Sequence, residues 1–520
     1  MGVMRRHLIA LMALALPAAI AAVAPSASAH VADHGHQPHP TTACAPVRPS
    51  APAGTHVDSV TAVAHTGGTI SFPTAYPAVG PIADVPAWCD ITVTVSHLGA
   101  NDHVKIKVSL PQDRSLWTGR FQAAGGSAYL AGDLTDPAPA LVQAVKAGYA
   151  AGATDAGVGQ NAIDVSGWAL TPRGTLDTAL LKNFSTRSLH DLAVVGKDVA
   201  RQFYGRSVTY AYWNGCSTGG RQGYAEAQDH PTDFQGILAN APAINWDRFA
   251  IATLWSQAVF NEEHVQPSPC ELQAFTDAAV KACDTLDGHK DGIIDDPSKC
   301  DWDARRLVGT KVVCDGQEII ISRATADAVR KIWEGPTTPS GKQLWYGPNK
   351  GANLDSLAAY GAPFVVASQW AQYFVTRDPS LDLTRLTYDE FYRLYASSQR
   401  QFHDVIGTDD PDLRAFARSG GKLITWHGQA DQLVPTQGTV DYKQRVDGLL
   451  GSRNVDSFYR LFLLPGVDHC AGGTDLTNAL DSLVTWVEKG HAPATLSATI
   501  TQPDGATVTR QVRPFAAARH

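Results

Sequence analysis

A serine near the middle of the chain stands in a setting that activates hydroxyl groups. Residues 215–219 read Gly-Cys-Ser-Thr-Gly, a Gly-x-Ser-x-Gly pattern, and they lie between an apolar run at 208–213 and a helical stretch that starts near Gly220. A sharp strand-to-helix turn holds a serine hydroxyl at the end of a strand where small neighbours let the backbone turn tightly. The pattern predicts Ser217 as a nucleophile, although the bare five-residue match also arises by chance in glycine-rich chains.

A serine hydroxyl attacks only when an imidazole takes its proton and a carboxylate orients that imidazole. The predicted strand 422–426 is followed by His-Gly-Gln-Ala-Asp431, and the predicted strand 458–464 is followed by Pro-Gly-Val-Asp-His469. The chain order Ser, Asp, His is the one that the α/β-hydrolase fold uses. We therefore predict Asp431 as the acid and His469 as the base.

Two neighbouring residues compete for these roles. Asp468 stands beside His469, but adjacent side chains diverge, which makes a hydrogen bond to that ring difficult. His427 precedes the acid and so breaks the expected order. We interpret both as structural residues at strand ends.

The oxyanion formed by attack on an acyl group needs preorganised N–H donors. One is predicted to be the amide of Thr218, directly after the nucleophile. Residues 121–127 follow an early predicted strand and contain paired glycines, so Gly126 is the predicted second donor. A plain turn is the alternative for this loop.

Cysteines flank the predicted nucleophile and base. Cys216 precedes Ser217 and Cys470 follows His469, so a working contact between serine and histidine brings the two sulfurs within bonding distance. Such a bridge closes a very long loop, worth ~5 kcal/mol in the chain-entropy model. The alternative is that Cys216 is only a small buried residue. The chain has eight cysteines and no Cys-x-x-Cys pair, which favours disulfides over a zinc ribbon or a thioredoxin-like redox site.

The elements that position these residues follow from the hydrophobic pattern. Residues 91–95 and 104–108 alternate apolar and polar side chains around a short loop, which predicts an antiparallel hairpin. Strands and helices then alternate from 120 to 240, resume at 422–426 and 458–464, and end in an amphipathic helix at 475–489. This rhythm is typical of parallel βαβ units.

The rhythm disappears between residues 241 and 405, a segment that holds four of the eight cysteines. The predicted fold class is therefore α/β, an α/β-hydrolase core with a large inserted lid domain. Residues 54–240 and 406–520 form the core, and residues 241–405 form the lid.

The first residues predict export. Residues 1–29 have a basic start, an apolar stretch and a small-residue cleavage site, which is typical of a signal peptide, and residues 30–53 are predicted to be a flexible leader. We expect a secreted, extracellular protein. The net charge of −8 and the lack of a basic face argue against nucleic acid as a partner, and no later apolar run is long enough to span a membrane.

Three stretches around the predicted catalytic residues together resemble the tannase and feruloyl esterase family: Gly215-Cys-Ser-Thr-Gly-Gly-Arg221, His427-Gly-Gln-Ala-Asp431 and His469-Cys-Ala-Gly-Gly473. The similarity covers most of the chain after the leader and includes residues 148–155, 233–242 and 486–493. It implies the disulfide between Cys216 and Cys470, and a second between Cys44 and Cys89. Cys283 and Cys300 bracket one acidic segment and are expected to bond, which leaves Cys270 for Cys314.

The resemblance also implies a calcium ion bound in the lid. The matching segment is 284–293, and its implied ligands are three carboxylates and two backbone carbonyls: Asp284, Asp287, Asp291, His289 and Ile293. Calcium takes six to eight oxygen ligands, which this set goes most of the way to supplying. The spacing is not that of an EF-hand, and on residue types alone a simple acidic turn fits equally well.

The family implies hydrolysis of esters of aromatic acids, with feruloyl or other hydroxycinnamoyl esters of plant polymers expected first. Galloyl esters, as in tannin, and mono(2-hydroxyethyl) terephthalate are the alternative substrates. A secreted binding protein that kept the fold and lost catalysis is the alternative from outside the enzymes.

Overall fold

Short apolar runs bounded by turn residues fold into strands, and these strands determine where the predicted site lies. The computed structural model describes residues 43–73, 78–358, 362–471, 474–475, 478–502 and 505–516. The strands are β1 Thr55–His65, β2 Gly68–Phe72, β3 Val79–Val85, β4 Trp88–His97, β5 Val104–Pro111, β6 Arg120–Ala124, β7 Ala150–Thr154, β8 Tyr210–Cys216, β9 Gly236–Asn240, β10 Lys311–Cys314, β11 Gln317–Ile320, β12 Lys422–Gly428, β13 Tyr459–Leu464, β14 Thr474–Asp475, β15 Leu496–Thr501 and β16 Thr507–Val512.

Helices connect the strands and fill the segment between β9 and β12. They are α1 Pro139–Lys146, α2 Thr178–Lys182, α3 Ser188–Tyr204, α4 Thr218–Asp229, α5 Trp246–Ala252, α6 Trp255–Glu262, α7 Pro269–Cys283, α8 Arg323–Glu334, α9 Asp355–Ala358, α10 Val365–Gln369, α11 Tyr388–Ile406, α12 Arg414–Arg418, α13 Thr436–Leu450, α14 Ser452–Val455 and α15 Ala479–Lys489. π-Helical turns occur at Asn183–Arg187 and Trp370–Thr376. Among the residues described, none of these helices combines the length and apolar character needed to cross a bilayer.

Within the described residues, nine strands form one mixed sheet in the order β1-β4-β5-β7-β6-β8-β9-β12-β13. The first four strands pair antiparallel, and β7, β6, β8, β9, β12 and β13 run parallel to one another. Parallel strands present their carboxyl ends at one edge of a sheet, and ligands of open α/β sheets bind there. The predicted α/β fold is confirmed.

The predicted hairpin is confirmed, with β4 and β5 antiparallel and Val95 opposite Val104. The predicted start of the last helix at Asp475 is wrong. It begins at Ala479 rather than at Asp475, which instead pairs with Thr499 in a small sheet of β14, β15 and β16. The apolar face at Leu483 and Trp486 is as predicted, but the strand pairing of Asp475 is a long-range contact that helical periodicity does not reveal.

The described end of the predicted leader is attached to the core. Cys44 is bonded to Cys89, and the backbone N–H of Ser50 donates to Asp198 at 2.8 Å. The prediction of a flexible leader up to residue 53 is therefore wrong for residues 43–53. Residues 1–42, with the predicted signal peptide and the rest of the leader, lie outside the described residues.

The inserted segment between β9 and β12 shares a core with the sheet domain. Trp246, Trp370 and Phe374 from the insertion are buried. The ring of Phe374 lies 6.1 Å from Tyr129, and that of Trp246 lies 5.9 Å from Phe184. Aromatic pairs at these separations contribute attraction beyond the area they bury. The insertion is thus packed onto the loops above the sheet.

All eight cysteines lie in the described part of the chain and form four disulfides. They pair as predicted: Cys44–Cys89, Cys216–Cys470, Cys270–Cys314 and Cys283–Cys300. The second links the end of β8 to the loop after β13, across 254 residues of sequence.

Candidate active site

Ser217 stands at the sharp turn between β8 and α4. Its backbone has φ 60° and ψ −120°, a conformation that L-residues rarely adopt. The turn closes because Gly215 and Gly219 have no side chains: a Cβ on Gly215 would lie 2.5 Å from the carbonyl of Gly219. The N–H of Ser217 donates to the carbonyl of Asn240 at 3.0 Å. This is the geometry that the Gly-x-Ser-x-Gly pattern predicts.

Asp431 and His469 meet at the ends of β12 and β13. Nδ1 of His469 lies 2.7 Å from Oδ2 of Asp431, and the backbone N–H of His469 donates to the side chain of Gln432 at 3.0 Å. His469 is partly exposed, with 11% of its side chain accessible, whereas Asp431 is fully buried. Gln432, which the sequence did not single out, thus holds the backbone of His469 by one hydrogen bond.

The carboxylate of Asp431 is held in its charged form. Burial opposes ionisation, but the charge of His469 and hydrogen bonds from His427 and His469 outweigh it, so the pKa of Asp431 lies well below its ordinary value. Its other oxygen accepts the N–H groups of Leu433 and Val434 at 2.9 and 2.8 Å. A buried carboxylate with these donors can stabilise an imidazolium next to it.

The two rival residues have other partners. Nδ1 of His427 lies 2.9 Å from the hydroxyl of Thr439, and Nε2 lies 3.0 Å from both Asp431 and the carbonyl of Val434. Both nitrogens of His427 are thus engaged away from the serine. Asp468 is exposed to solvent, and partial desolvation together with the negative charge of Asp431 raises the pKa of its carboxyl. Solvent screens an exposed carboxyl, so it stabilises an imidazolium less than the buried Asp431 does.

The predicted oxyanion donors have different surroundings. Thr218 is the first residue of α4, so its N–H has no acceptor within the helix, and its hydroxyl is anchored to the carbonyl of Ala128 at 2.6 Å. The N–H of Gly126 is buried and donates to Oε1 of Gln222 at 2.9 Å. The Gly126 N–H is thus engaged by a side chain of α4, and Gly126 as the second oxyanion donor stays a prediction. The sequence could not reveal the competitor, because Gln222 is 96 residues away in the chain.

The disulfide between Cys216 and Cys470 ties the two halves of the site together. Its Cα atoms are 5.8 Å apart, and it joins the residue before Ser217 to the residue after His469. The loop of Ser217 and the loop of His469 therefore cannot separate while the bridge is intact. Residues 472 and 473, which end the predicted motif after His469, lie outside the described residues.

The acidic segment 284–293 lies between the cysteines of the Cys283–Cys300 disulfide. Oδ1 of Asp284 accepts the backbone N–H groups of Asp291 and Gly292, each at 2.9 Å, which folds the segment into a closed loop. Asp287 caps the turn by accepting the N–H of His289 at 2.7 Å. Ile293 is buried, and a Cβ on Gly466 would lie 2.7 Å from its side chain, so the loop packs against the segment that leads to His469.

Asp295 joins this loop, although it was not among the predicted ligands. Burial raises its pKa to about 6, with Asp287 and Asp291 raising it further against the opposing charge of Arg510. Arg510, from β16, bonds to both Asp291 and Asp295. In the described part of the chain, one buried oxygen of each of these two aspartates has no hydrogen-bond partner. Unpaired carboxylate oxygens beside further carboxylates fit a hard cation.

The chain is similar to known proteins along most of its length. The family model described as tannase and feruloyl esterase matches residues 89–517. A probable feruloyl esterase of Arthroderma benhamiae is 40% identical over 479 residues, which cover 89% of this chain and 88% of that protein.

Two solved structures are similar over most of the fold. Tannin acyl hydrolase from Aspergillus niger has a TM-score of 0.79 at 26% identity, covering 89% of both chains. Feruloyl esterase B from Aspergillus oryzae has a TM-score of 0.74 at 26% identity, covering 89% of this chain and 93% of that one. The match of family model, relative and fold shows that this chain is an ester hydrolase belonging to the tannase and feruloyl esterase family.

Proposed function

We propose that this protein is a secreted serine carboxylesterase that releases aromatic acids from their esters, with Ser217, Asp431 and His469 as its catalytic triad. The observation that carries the proposal is the 2.7 Å contact between Asp431 and His469, on a loop that a disulfide ties to the serine turn. A binding protein that had lost catalysis would have no need of this buried, ionised carboxylate.

The chemistry follows from the positions of these groups. Oγ of Ser217 attacks the ester carbonyl, and its proton passes to Nε2 of His469, the ring nitrogen that Asp431 leaves free. The negative charge on the carbonyl oxygen meets the N–H of Thr218 at the positive end of the α4 dipole. His469 then protonates the leaving alcohol, and a water molecule releases the acid by the reverse sequence.

Feruloyl and related hydroxycinnamoyl esters, carried on plant polysaccharide, are the proposed substrates, because a relative at 40% identity is named a probable feruloyl esterase. Galloyl esters are the second candidate, favoured by the fold similarity to a tannin acyl hydrolase. Mono(2-hydroxyethyl) terephthalate remains a third ester to be compared with these two.

One panel of substrates tests both the mechanism and the specificity. Wild type, Ser217→Ala and the exposed control Ser115→Ala are compared on methyl ferulate, methyl p-coumarate, methyl gallate, mono(2-hydroxyethyl) terephthalate and p-nitrophenyl acetate. We expect the highest kcat/KM on the cinnamates, a loss of about 10⁶ in kcat for Ser217→Ala, and no loss for the control. Preference for gallate would make the protein a tannase, and a fully active Ser217→Ala would refute the serine mechanism.

Export is proposed from the first 29 residues and is supported by the four disulfides, which persist in oxidising compartments. N-terminal sequencing of protein collected from the culture medium is expected to start at His30. Retention of the whole chain inside the cell would refute export.

A structural calcium ion is proposed in the acidic loop, which belongs to the predicted lid. The side chains of Asp284, Asp287 and Asp291 and the carbonyls of His289 and Ile293 would hold the ion, and the unpaired oxygen of Asp295 adds a sixth candidate ligand. The ion would neutralise a loop in which Arg510 is the basic partner of Asp291 and Asp295. The ion takes no part in ester chemistry.

Chelation tests this site. Removing calcium should lower the Tm of the wild type by several degrees, because a ligand that binds only the folded state stabilises it, and adding calcium back should restore it. Asp287→Asn should start at the lower Tm and not respond to calcium, whereas Asp382→Asn, an exposed aspartate elsewhere in the insertion, should respond as the wild type does. An unchanged Tm with no calcium in the purified protein would refute the site.

A further inference from the structure

Two histidines and an aspartate meet far from the serine, where the carboxyl-terminal end of α4 turns towards β9. His190 projects from α3, His230 directly follows the last residue of α4, and Asp233 lies in the following turn. One ligand atom from each of the three lies within 4.8 Å of the others. None of these residues takes part in the proposed ester chemistry.

The three side chains lie close to one another. Nδ1 of His190 lies 2.6 Å from Oδ2 of Asp233. The rings of His190 and His230 are stacked, with centroids 4.4 Å apart and planes 15° from parallel. In a tetrahedral zinc site, metal–ligand distances of 2.0–2.2 Å place ligand atoms about 3.3 Å apart. Because an imidazole binds a metal in the plane of its ring, one of the two stacked rings has to turn out of the stack for both to bind the same ion.

Neighbouring groups of the protein hold Asp233 in place. The N–H of Asp233 donates to the carbonyl of His230 at 3.0 Å. Lys197 donates to the carbonyl of Asp233 at 3.0 Å and lies 3.5 Å from Oδ1, so Oδ2 is the oxygen that faces the imidazole of His190. The side chain of Asp233 is 10% exposed and that of His190 is 39% exposed, which leaves one open side for an ion and a bound water.

A second observation points to a cation at this position. Glu226, one turn before His230 on α4, is 1% exposed, and within the described residues neither of its carboxyl oxygens has a hydrogen-bond partner. Burial raises the pKa of Glu226 well above its ordinary value, and the negative charge of Asp233 raises it further. Burying a carboxyl without a partner costs free energy, and a nearby divalent ion would offset that cost.

From this geometry we propose that His190, His230 and Asp233 bind a divalent transition-metal ion of the zinc type. Two imidazoles and one carboxylate suit zinc, copper or nickel, whereas calcium and magnesium prefer oxygen ligands alone. The ion joins α3 to the turn between α4 and β9. Because α4 has 12 residues and a rise of 1.5 Å per residue, the site lies about 18 Å from Ser217, and its role is to stabilise the fold.

A rival cluster supplies the matched control. His65 also stacks on an aromatic ring, that of Trp88, and lies near Asp90 and Asp136. There, however, Oδ1 of Asp90 already accepts from Trp88 and from Ser109 at 2.6 Å, and Lys107 lies 3.9 Å from its other oxygen. The carboxylate of Asp90 therefore accepts more hydrogen bonds than that of Asp233 does. His65→Ala should leave zinc binding unchanged.

The experiment is calorimetric titration of the calcium-saturated protein with zinc chloride, together with the Tm at each zinc concentration. The wild type should bind one zinc ion with a rise in Tm, and His190→Ala and His230→Ala should each weaken that binding at least tenfold. Both side chains are partly exposed, so we expect both variants to fold, and unchanged ester hydrolysis without zinc checks this. Wild-type zinc affinity in both variants, loss of binding in His65→Ala alone, or no binding by the wild type would each overturn the proposal.

Discussion

Two buried aspartates of this protein differ in the hydrogen-bond donors around their carboxyl groups. Asp431, at the end of β12, is 1% exposed and receives hydrogen bonds from two imidazoles and two backbone N–H groups. Asp247, on α5 of the insertion, is 0% exposed, and in the described part of the chain neither of its carboxyl oxygens has a hydrogen-bond partner. Two basic side chains lie near it: Nδ1 of His403 at 3.4 Å and Nε of Arg248 at 3.9 Å from Oδ2.

The pKa values of the two groups move in opposite directions. Burial raises the pKa of Asp247 to about 6, and the negative charge of Asp409 raises it further against the opposing effects of Arg248 and His403. For Asp431 the hydrogen bonds and the charge of His469 outweigh burial, and the pKa falls. Burial alone therefore does not decide whether a carboxyl is charged; the donors placed around it do. Ionisation is favoured at the residue that the proposed mechanism needs charged.

The largest expected effect comes from removing the charge at Asp431. Asp431→Asn should keep the fold but lower kcat by about 10⁴, because the amide favours the wrong tautomer of the base and cannot stabilise its protonated form. Steady-state kinetics on the best ester of the panel measures this loss.

Asp468→Asn is the matched control, since Asp468 lies next to His469 but has a raised pKa. We expect its kcat to stay within tenfold of wild type. A greater loss in Asp468→Asn than in Asp431→Asn would reverse the assignment of the acid.

The second effect concerns the Cys216–Cys470 bridge, which ties the loop of the proposed base His469 to the turn of Ser217. The double variant Cys216→Ser, Cys470→Ser should lower the free energy of unfolding by about 2–5 kcal/mol and also lower kcat, because the loop that presents His469 to Ser217 loses its tether. Thermal unfolding and kinetics measure the two losses.

Removing a bridge remote from the site separates stability from catalysis. Cys270→Ser with Cys314→Ser opens a disulfide of the insertion that spans 44 residues. This control should lose stability and keep its kcat. An equal loss of kcat in both double variants would show that the bridge beside the site has no special part in positioning the base.

The smallest effect is the pH dependence of stability, and it tests the comparison of the two aspartates directly. The pKa of Asp247 is higher in the folded protein than in the unfolded chain. The stability that this residue contributes is therefore fully present below about pH 4 and is lost as the pH rises towards 6. The Tm of Asp247→Asn minus that of the wild type should therefore increase between pH 4 and 7, by the equivalent of about 1–3 kcal/mol.

Asp431 should give the opposite trend. Its folded pKa is depressed, so the stability it contributes is present above about pH 4 and is lost as the pH falls below that value. The difference in Tm between the wild type and Asp431→Asn should shrink on acidification. If the Tm differences of the two variants from the wild type change with pH in the same direction, the contrast between Asp247 and Asp431 is refuted.

Much of this molecule could be predicted because its signals are local. The turn at Ser217 needs glycines within two residues on either side, and β4, β5, β12 and β13 each have their own apolar pattern. The terminal strands β15 and β16 were missed, although Leu496, Ala498 and Ile500 alternate with polar residues in a way that indicates a strand.

The other errors concern contacts between distant parts of the chain. Gln222 accepts a hydrogen bond from the N–H of Gly126, which is 96 residues away in sequence. Arg510 donates to Asp295, which is 215 residues away in sequence. No spacing rule predicts such partners, because they depend on how separate elements pack. The same holds for Asp247 and Glu226, whose burial without partners is visible only in the folded structure.

The bridge between Cys216 and Cys470 also has a consequence for how the protein is made. Its two cysteines are 254 residues apart, and the whole insertion is translated between them. The bridge cannot form until Cys470 has emerged, and under the proposed mechanism a chain that has emerged only through residue 430 contains Ser217 but neither Asp431 nor His469. By that mechanism, hydrolytic activity cannot arise during early synthesis, and a message truncated before codon 469 would yield no active product.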